Sequence, residues 1–131
     1  MRDPFDAPTQ RGDRHVLVVD GDTLRRTEIA DHLRNAGFFQ VLEAASGDVA
    51  VALLRAHPEV NLVVTETQLQ GSLNGLQLAA WIRANRQDVK VIVLTTYAPP
   101  LAAVAGIVHL VLFKPVNGDE LVQDGVDLLS T

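Results

Sequence analysis

The feature that most constrains this chain is a series of five short apolar runs separated by segments with helical periodicity. Four of the five runs are dense in valine, leucine or isoleucine and show no alternation with polar residues. Strands that are buried on both faces have this composition, and they occur in parallel sheets that helices cover on each side. The predicted strands cover residues 15–19, 40–44, 61–66, 89–94 and 109–113.

Capping residues and apolar spacing predict helices in the intervals. The candidate N-caps are Asp22 or Thr23, Ser46 and Asn117. The helices then run to about residue 35 and over 48–56, 76–84 and 119–129. A short fourth helix of about two turns is expected between residues 98 and 106, with Pro100 in its first turn. This order repeats β-α five times, so it predicts an α/β fold with a doubly wound, five-stranded parallel sheet.

Composition narrows the possible functions. The chain has 131 residues, enough for one domain, and it contains no cysteine, so disulfides and thiolate chemistry are excluded. Its net charge of -5 argues against nucleic-acid binding by this domain. No apolar run approaches the ~20 residues of a membrane span. We expect a flexible polar tail over residues 1–13, a folded domain over 14–131, no membrane contact and a cytoplasmic location.

Chemically active side chains follow several of the predicted strands. These residues are Asp20, Asp22, Glu66, Thr95 and Lys114. Because the carboxyl ends of parallel strands share one edge of the sheet, we expect these side chains to lie near each other. Carboxylates hold Mg²⁺, and Mg²⁺ together with lysine neutralises phosphoryl groups. The cluster is also compatible with ordinary solvated loop residues at strand ends.

The order of the motifs resembles the receiver domains of two-component response regulators over residues 15–129. The segments that carry the resemblance are HVLVVD at 15–20, VVTE at 63–66, LQGSLNG at 69–75, VLT at 93–95 and FKP at 113–115. It implies a flavodoxin-like, receiver-type (βα)5 fold. It also implies Mg²⁺ ligation by acids after the first strand, a phosphoryl acceptor at position 66, a hydroxyl at Thr95 and a lysine at Lys114. A cis bond before Pro115 is a further expectation.

Two departures from that pattern affect the phosphorylation chemistry. Gly21 occupies the position of the second metal-binding acid, and glycine offers no side-chain oxygen. Glu66 occupies the acceptor position and is one methylene longer than aspartate. Phosphoryl transfer depends on positioning and metal charge, and a displacement of about 1 Å can cost ~100-fold. We therefore expect Glu66, Thr95 and Lys114 to form a degenerate site, with only weak Mg²⁺ ligation by Asp20 and Asp22, and no other cofactor.

The residues that transmit the phosphorylation signal also depart from the family. The resemblance puts the switch aromatic three residues before the lysine, where this chain has Val111, whose β-branched side chain is stiff. The family often dimerises around the fourth helix, fifth strand and last helix. The corresponding interface candidates are Pro99, Leu101, Leu110 and Val111.

Three functions remain open at this stage. The first is a phosphorylation-independent protein-interaction module, not an enzyme, whose partner is a histidine kinase, another regulator or a second copy. The second is a working phospho-acceptor switch that uses Glu66 with Asp20, Asp22 and Mg²⁺. The third is a flavodoxin-like domain that binds a small anionic ligand near Lys114. The sequence is compatible both with a stand-alone protein and with a fragment of a longer one.

Overall fold

The computed structural model describes residues 13–130, and it contains one parallel sheet with helices on both faces. The expected tail over residues 1–13 lies, apart from its last residue, outside the described range. The strands are β1 His15–Val19, β2 Gln40–Ala44, β3 Leu62–Glu66, β4 Lys90–Thr95 and β5 Leu110–Phe113. The helices are α1 Thr23–Asn35, α2 Gly47–Ala56, α3 Gly75–Asn85, α4 Leu101–Val104 and α5 Gly118–Leu129.

All strands pair in parallel, in the order β2-β1-β3-β4-β5. This topology confirms the predicted doubly wound α/β fold. Successive residues of the central strands point to opposite faces, so their apolar side chains divide between two cores. Leu17 and Val19 pack with α2 and α3, whereas Val16 and Val18 pack with α1 and α5. Burial on both faces accounts for the near-continuous apolar runs in the sequence.

The predicted caps begin their helices as the sequence indicated. The Asp22, Ser46 and Asn117 side chains each accept main-chain N–H bonds from the first turns of α1, α2 and α5. The start of α3 carries an additional cap, because Asn74 and Gln77 form a reciprocal capping box. Lys114–Pro115 is cis, as expected.

The structure departs from the sequence expectation mainly in α4. This helix is a single turn, not about two, and none of its residues is buried. Pro100 is its N-cap and offers no side-chain oxygen, so the helix has neither a polar cap nor an apolar contact with the core to extend it. Among residues 13–130 no helix is long and apolar enough to cross a membrane.

Candidate functional site

Four of the predicted site residues meet at the carboxyl edge of the sheet. Asp20 follows β1, Glu66 ends β3, Thr95 ends β4 and Lys114 follows β5. Asp20, Glu66 and Thr95 are nearly inaccessible to solvent, although all three are polar. Buried polar groups are costly unless they are paired, so the partners of these three residues define the chemistry of the site.

The glutamate at the acceptor position is already paired. Its Oε2 forms an ion pair with Lys114 Nζ, and the Glu66 side chain is only 6% exposed. Its Oε1 lies 3.5 Å from the hydroxyl of Thr67, the next residue along the chain. The main chain around Glu66 is also close-packed, because a Cβ on Gly75 would lie 2.0 Å from the Glu66 carbonyl oxygen. The strand end and the start of α3 therefore leave little room for the main chain of Glu66 to shift.

The Thr95 hydroxyl is hydrogen-bonded to the main chain of Tyr97. It donates to the Tyr97 carbonyl oxygen at 2.7 Å and accepts from the Tyr97 N–H at 3.2 Å. The Thr67 hydroxyl lies 3.4 Å from it, between Thr95 and Glu66. The Thr95 hydroxyl thus both donates to and accepts from the main chain of the loop between β4 and α4. The side chain of Tyr97 itself is exposed, so it does not fill the buried switch position.

Asp20 is bound by an arginine that the sequence reasoning did not single out. Arg25, in the first turn of α1, donates from Nε to Oδ2 at 3.1 Å and from Nη2 to Oδ1 at 3.2 Å. The Asp22 N–H also donates to Oδ1, at 2.8 Å. The hydrogen bond to Asp20 is the main reason that the pKa of Arg25 is raised above its ordinary value. In the sequence, Arg25 is marked only as a basic residue five positions after the acid that follows the first strand.

Asp22 is occupied as the N-cap of α1. Its Oδ1 accepts the Arg25 N–H at 3.0 Å, and its Oδ2 lies 3.8 Å from the Arg25 guanidinium. The hydrogen bond from the Arg25 main chain is the largest influence that holds the pKa of Asp22 below its ordinary value. The exposed carboxylate of Asp22 therefore caps the helix, and the cation that it shares with Asp20 is the Arg25 guanidinium.

The donor set does not fit the divalent cation that the family resemblance implies. Mg²⁺ requires about six oxygens in near-octahedral geometry. Gly21 contributes no side-chain oxygen, and both oxygens of Asp20 already accept hydrogen bonds from Arg25. Within residues 13–130 no group of three or more His, Asp or Glu side chains is arranged to hold a metal ion.

The switch and interface candidates lie in β5, in α4 and in the loop before α4. Leu110 packs, with Leu112, against the core beneath α1 and α5, so it is less available to a partner than expected. Val111 and Pro99 are half-buried, whereas Leu101 is 80% exposed. Two exposed aromatics were not predicted as interface residues: Tyr97, which follows β4, and Phe113, which ends β5.

Comparison with known proteins agrees with this geometry. The sequence model of the response regulator receiver domain family matches residues 16–124. A chemotaxis protein CheY homolog of Campylobacter jejuni is 31% identical over 121 residues, which cover 88% of this chain and 92% of that protein.

Solved structures give the same result for the fold. A response regulator receiver protein from Pseudomonas putida has a TM-score of 0.75 at 27% identity, covering 86% of this chain and 94% of that one. A response regulator receiver domain protein from Clostridium thermocellum has a TM-score of 0.79 at 21% identity, with coverages of 88% and 92%. The second likeness concerns the fold alone.

Proposed function

We propose a function for this chain, which belongs to the response regulator receiver family. It is a phosphorylation-independent interaction module of two-component signalling. Receiver domains are signalling modules and not classical enzymes. The observation that carries the proposal is the buried ion pair between Glu66 and Lys114. The lysine that would grip an incoming phosphoryl group is already bound to the carboxylate at the acceptor position.

The charges around Glu66 also oppose phosphoryl transfer. An acceptor carboxylate must reach the phosphorus in line, while cations neutralise the phosphoryl oxygens. Here Lys114 is occupied by the acceptor itself, and the donor set after β1 is incomplete at Gly21. An incoming phosphoryl group would therefore have to break a buried ion pair without a divalent cation to compensate.

The partner surface that we propose, called the patch below, consists of three exposed apolar side chains on neighbouring elements: Tyr97 after β4, Leu101 at the start of α4 and Phe113 at the end of β5. Their exposed fractions are 76%, 80% and 55%. Exposed apolar side chains that lie close together are typical of protein interaction sites. The Thr95 hydroxyl bonds both the N–H and the carbonyl oxygen of Tyr97, so it fixes the main chain that carries the Tyr97 side chain. A histidine kinase, another regulator and a second copy of the chain are the partner classes.

Intact mass after incubation with Mg²⁺ and acetyl phosphate tests the phosphorylation step. We expect no phosphoryl adduct on the natural protein. The positive control is Gly21→Asp/Arg25→Gln/Glu66→Asp, which restores both acids and releases Asp20, and we expect it to gain phosphoryl mass. An adduct on the natural protein that disappears in Glu66→Gln would refute the proposal and make Glu66 a working acceptor.

Sedimentation analysis without a phosphodonor tests the patch. If a second copy is the partner, Leu101→Asp should reduce self-association, because it puts a charge into the apolar contact. Leu24→Asp is a matched control, since Leu24 is also an exposed leucine, 69% accessible, at the start of α1. Equal effects of the two substitutions would count against the patch.

A further inference from the structure

A single arginine binds both carboxylate oxygens of Asp20. Arg25 contacts both carboxylate oxygens, at 3.1 and 3.2 Å, in the two-pronged geometry by which guanidinium recognises carboxylates. Asp20 is 2% exposed, so its charge is removed from water and depends on this partner. A buried carboxylate without a cation would be strongly unfavourable.

Arg25 is also positioned to act on the acceptor end of the site. It lines a cavity of about 270 Å³ together with Glu66, Thr95 and Lys114. The negative charge of Glu66 contributes to the raised pKa of Arg25, after the larger influence of Asp20. One guanidinium thus faces both buried acids of the carboxyl edge, Asp20 and Glu66. A divalent cation bound there would offset the same two negative charges.

We propose that Arg25 is the resident cation of this receiver site and that its guanidinium replaces the divalent cation. The glycine at position 21 and the arginine at position 25 then act together. The first offers no oxygen ligand and the second satisfies Asp20 from within the chain. The inference deepens the proposed function, on which it rests, because a site with its own cation no longer responds to metal.

Binding of Mn²⁺, measured by the loss of the free-ion signal in electron paramagnetic resonance, tests this replacement on the full chain. We expect no binding to the natural protein at millimolar Mn²⁺. Gly21→Asp should fit, because a Cβ on Gly21 would have the Ala45 carbonyl oxygen as its nearest neighbour, at 3.6 Å. That variant alone should bind weakly, since Arg25 still occupies Asp20.

Removal of the arginine should then open the site. We expect Gly21→Asp/Arg25→Gln to bind Mn²⁺ at least about 10-fold more tightly than Gly21→Asp, because a unit charge within ~4–6 Å shifts an ionic equilibrium by about tenfold or more. The matched control is Gly21→Asp/Arg34→Gln, which removes the same charge from the same helix. Arg34 pairs with Asp31 and Glu43 instead, so this control should keep the affinity of Gly21→Asp.

Folding is checked on the same samples by thermal unfolding with and without Mn²⁺. If Arg25→Gln weakens the fold, Gly21→Asp/Arg25→Met keeps the apolar stem of the side chain and serves as a second test. The proposal is overturned if the natural protein binds Mn²⁺ through Asp20, so that Asp20→Asn abolishes binding. It is equally overturned if the folded Arg25 variants bind no better than Gly21→Asp. Neither result requires phosphoryl transfer, so failure here and failure of the proposed function are distinguishable.

Discussion

The Glu66–Lys114 ion pair predicts a measurable coupling free energy between the two side chains. In Lys114→Met the Glu66 carboxylate, 6% exposed, stays buried without its cation. Breaking a buried pair costs about 3–5 kcal/mol, and the 23% exposure of the Lys114 side chain points to the lower end, about 3 kcal/mol. Urea unfolding should show this loss directly. Thermal unfolding should show a fall of roughly 10 °C for a chain of this size.

The double-mutant cycle isolates the ion pair from other effects of the substitutions. In Glu66→Gln the charge that needs Lys114 is gone, so adding Lys114→Met should cost only about 1 kcal/mol. The expected coupling free energy is therefore about 2 kcal/mol. A coupling below about 0.5 kcal/mol would mean that the two side chains contribute independently to the free energy of unfolding. The ion pair with Lys114 would then not occupy Glu66 in any energetically significant way.

Two further predictions concern the packing of the site and the pH dependence of stability. Gly75→Ala should lower the free energy of unfolding in urea by about 3 kcal/mol, because its Cβ would lie 2.0 Å from a main-chain oxygen at the end of β3. His109 Nδ1 accepts the Val91 N–H at 3.0 Å, and burial, followed by the charges of Lys90 and Arg83, lowers its pKa from 6.5. Between the folded pKa and 6.5 the unfolded chain binds more protons at this group. The free energy of unfolding should therefore fall as the pH drops below about 6.5 and level off below the folded pKa.

Each of these predictions has a matched control. Gly21→Ala meets only ordinary contacts and should change the free energy of unfolding by less than about 0.5 kcal/mol, so an equal loss in both glycine variants would contradict the packing argument. For the pH dependence, His109→Gln keeps a side-chain acceptor but does not titrate. Identical slopes of stability against pH between 7 and 5 in this variant and the natural protein would contradict the assignment to His109.

The strands and the edge cluster were predictable because short-range patterns determine them. Valine-rich runs indicate burial on both faces, and the parallel topology then brings Asp20, Glu66, Thr95 and Lys114 to one edge whatever the details of packing. The caps were equally readable, because Asp22 needs only the main-chain N–H groups of the next residues. The family resemblance then supplied a role for each position.

The partners of these side chains were not predictable from the sequence. Arg25 has a long, flexible side chain that could reach Asp20, Asp22 or solvent, and only the folded structure shows that it contacts both acids. Apolar spacing also puts Leu24 on the same side of α1 as the buried Leu33, but Leu24 is 69% exposed in the first turn. Periodicity gives the direction of a side chain around the helix and says nothing about where the covering core ends.

The hydrogen bonds and ion pairs of the site also bear on the conformation of the loop between β4 and α4. In the receiver family that the sequence resembles, phosphate draws the hydroxyl residue inward. Here the Thr95 hydroxyl is committed to the Tyr97 main chain at 2.7 and 3.2 Å, and Thr67 stands between it and Glu66. Asp20 and Glu66 each have an intramolecular cation, so neither charge depends on a ligand. We therefore predict that the loop conformation, and with it the exposure of Tyr97 and Leu101, does not change when a phosphodonor is added.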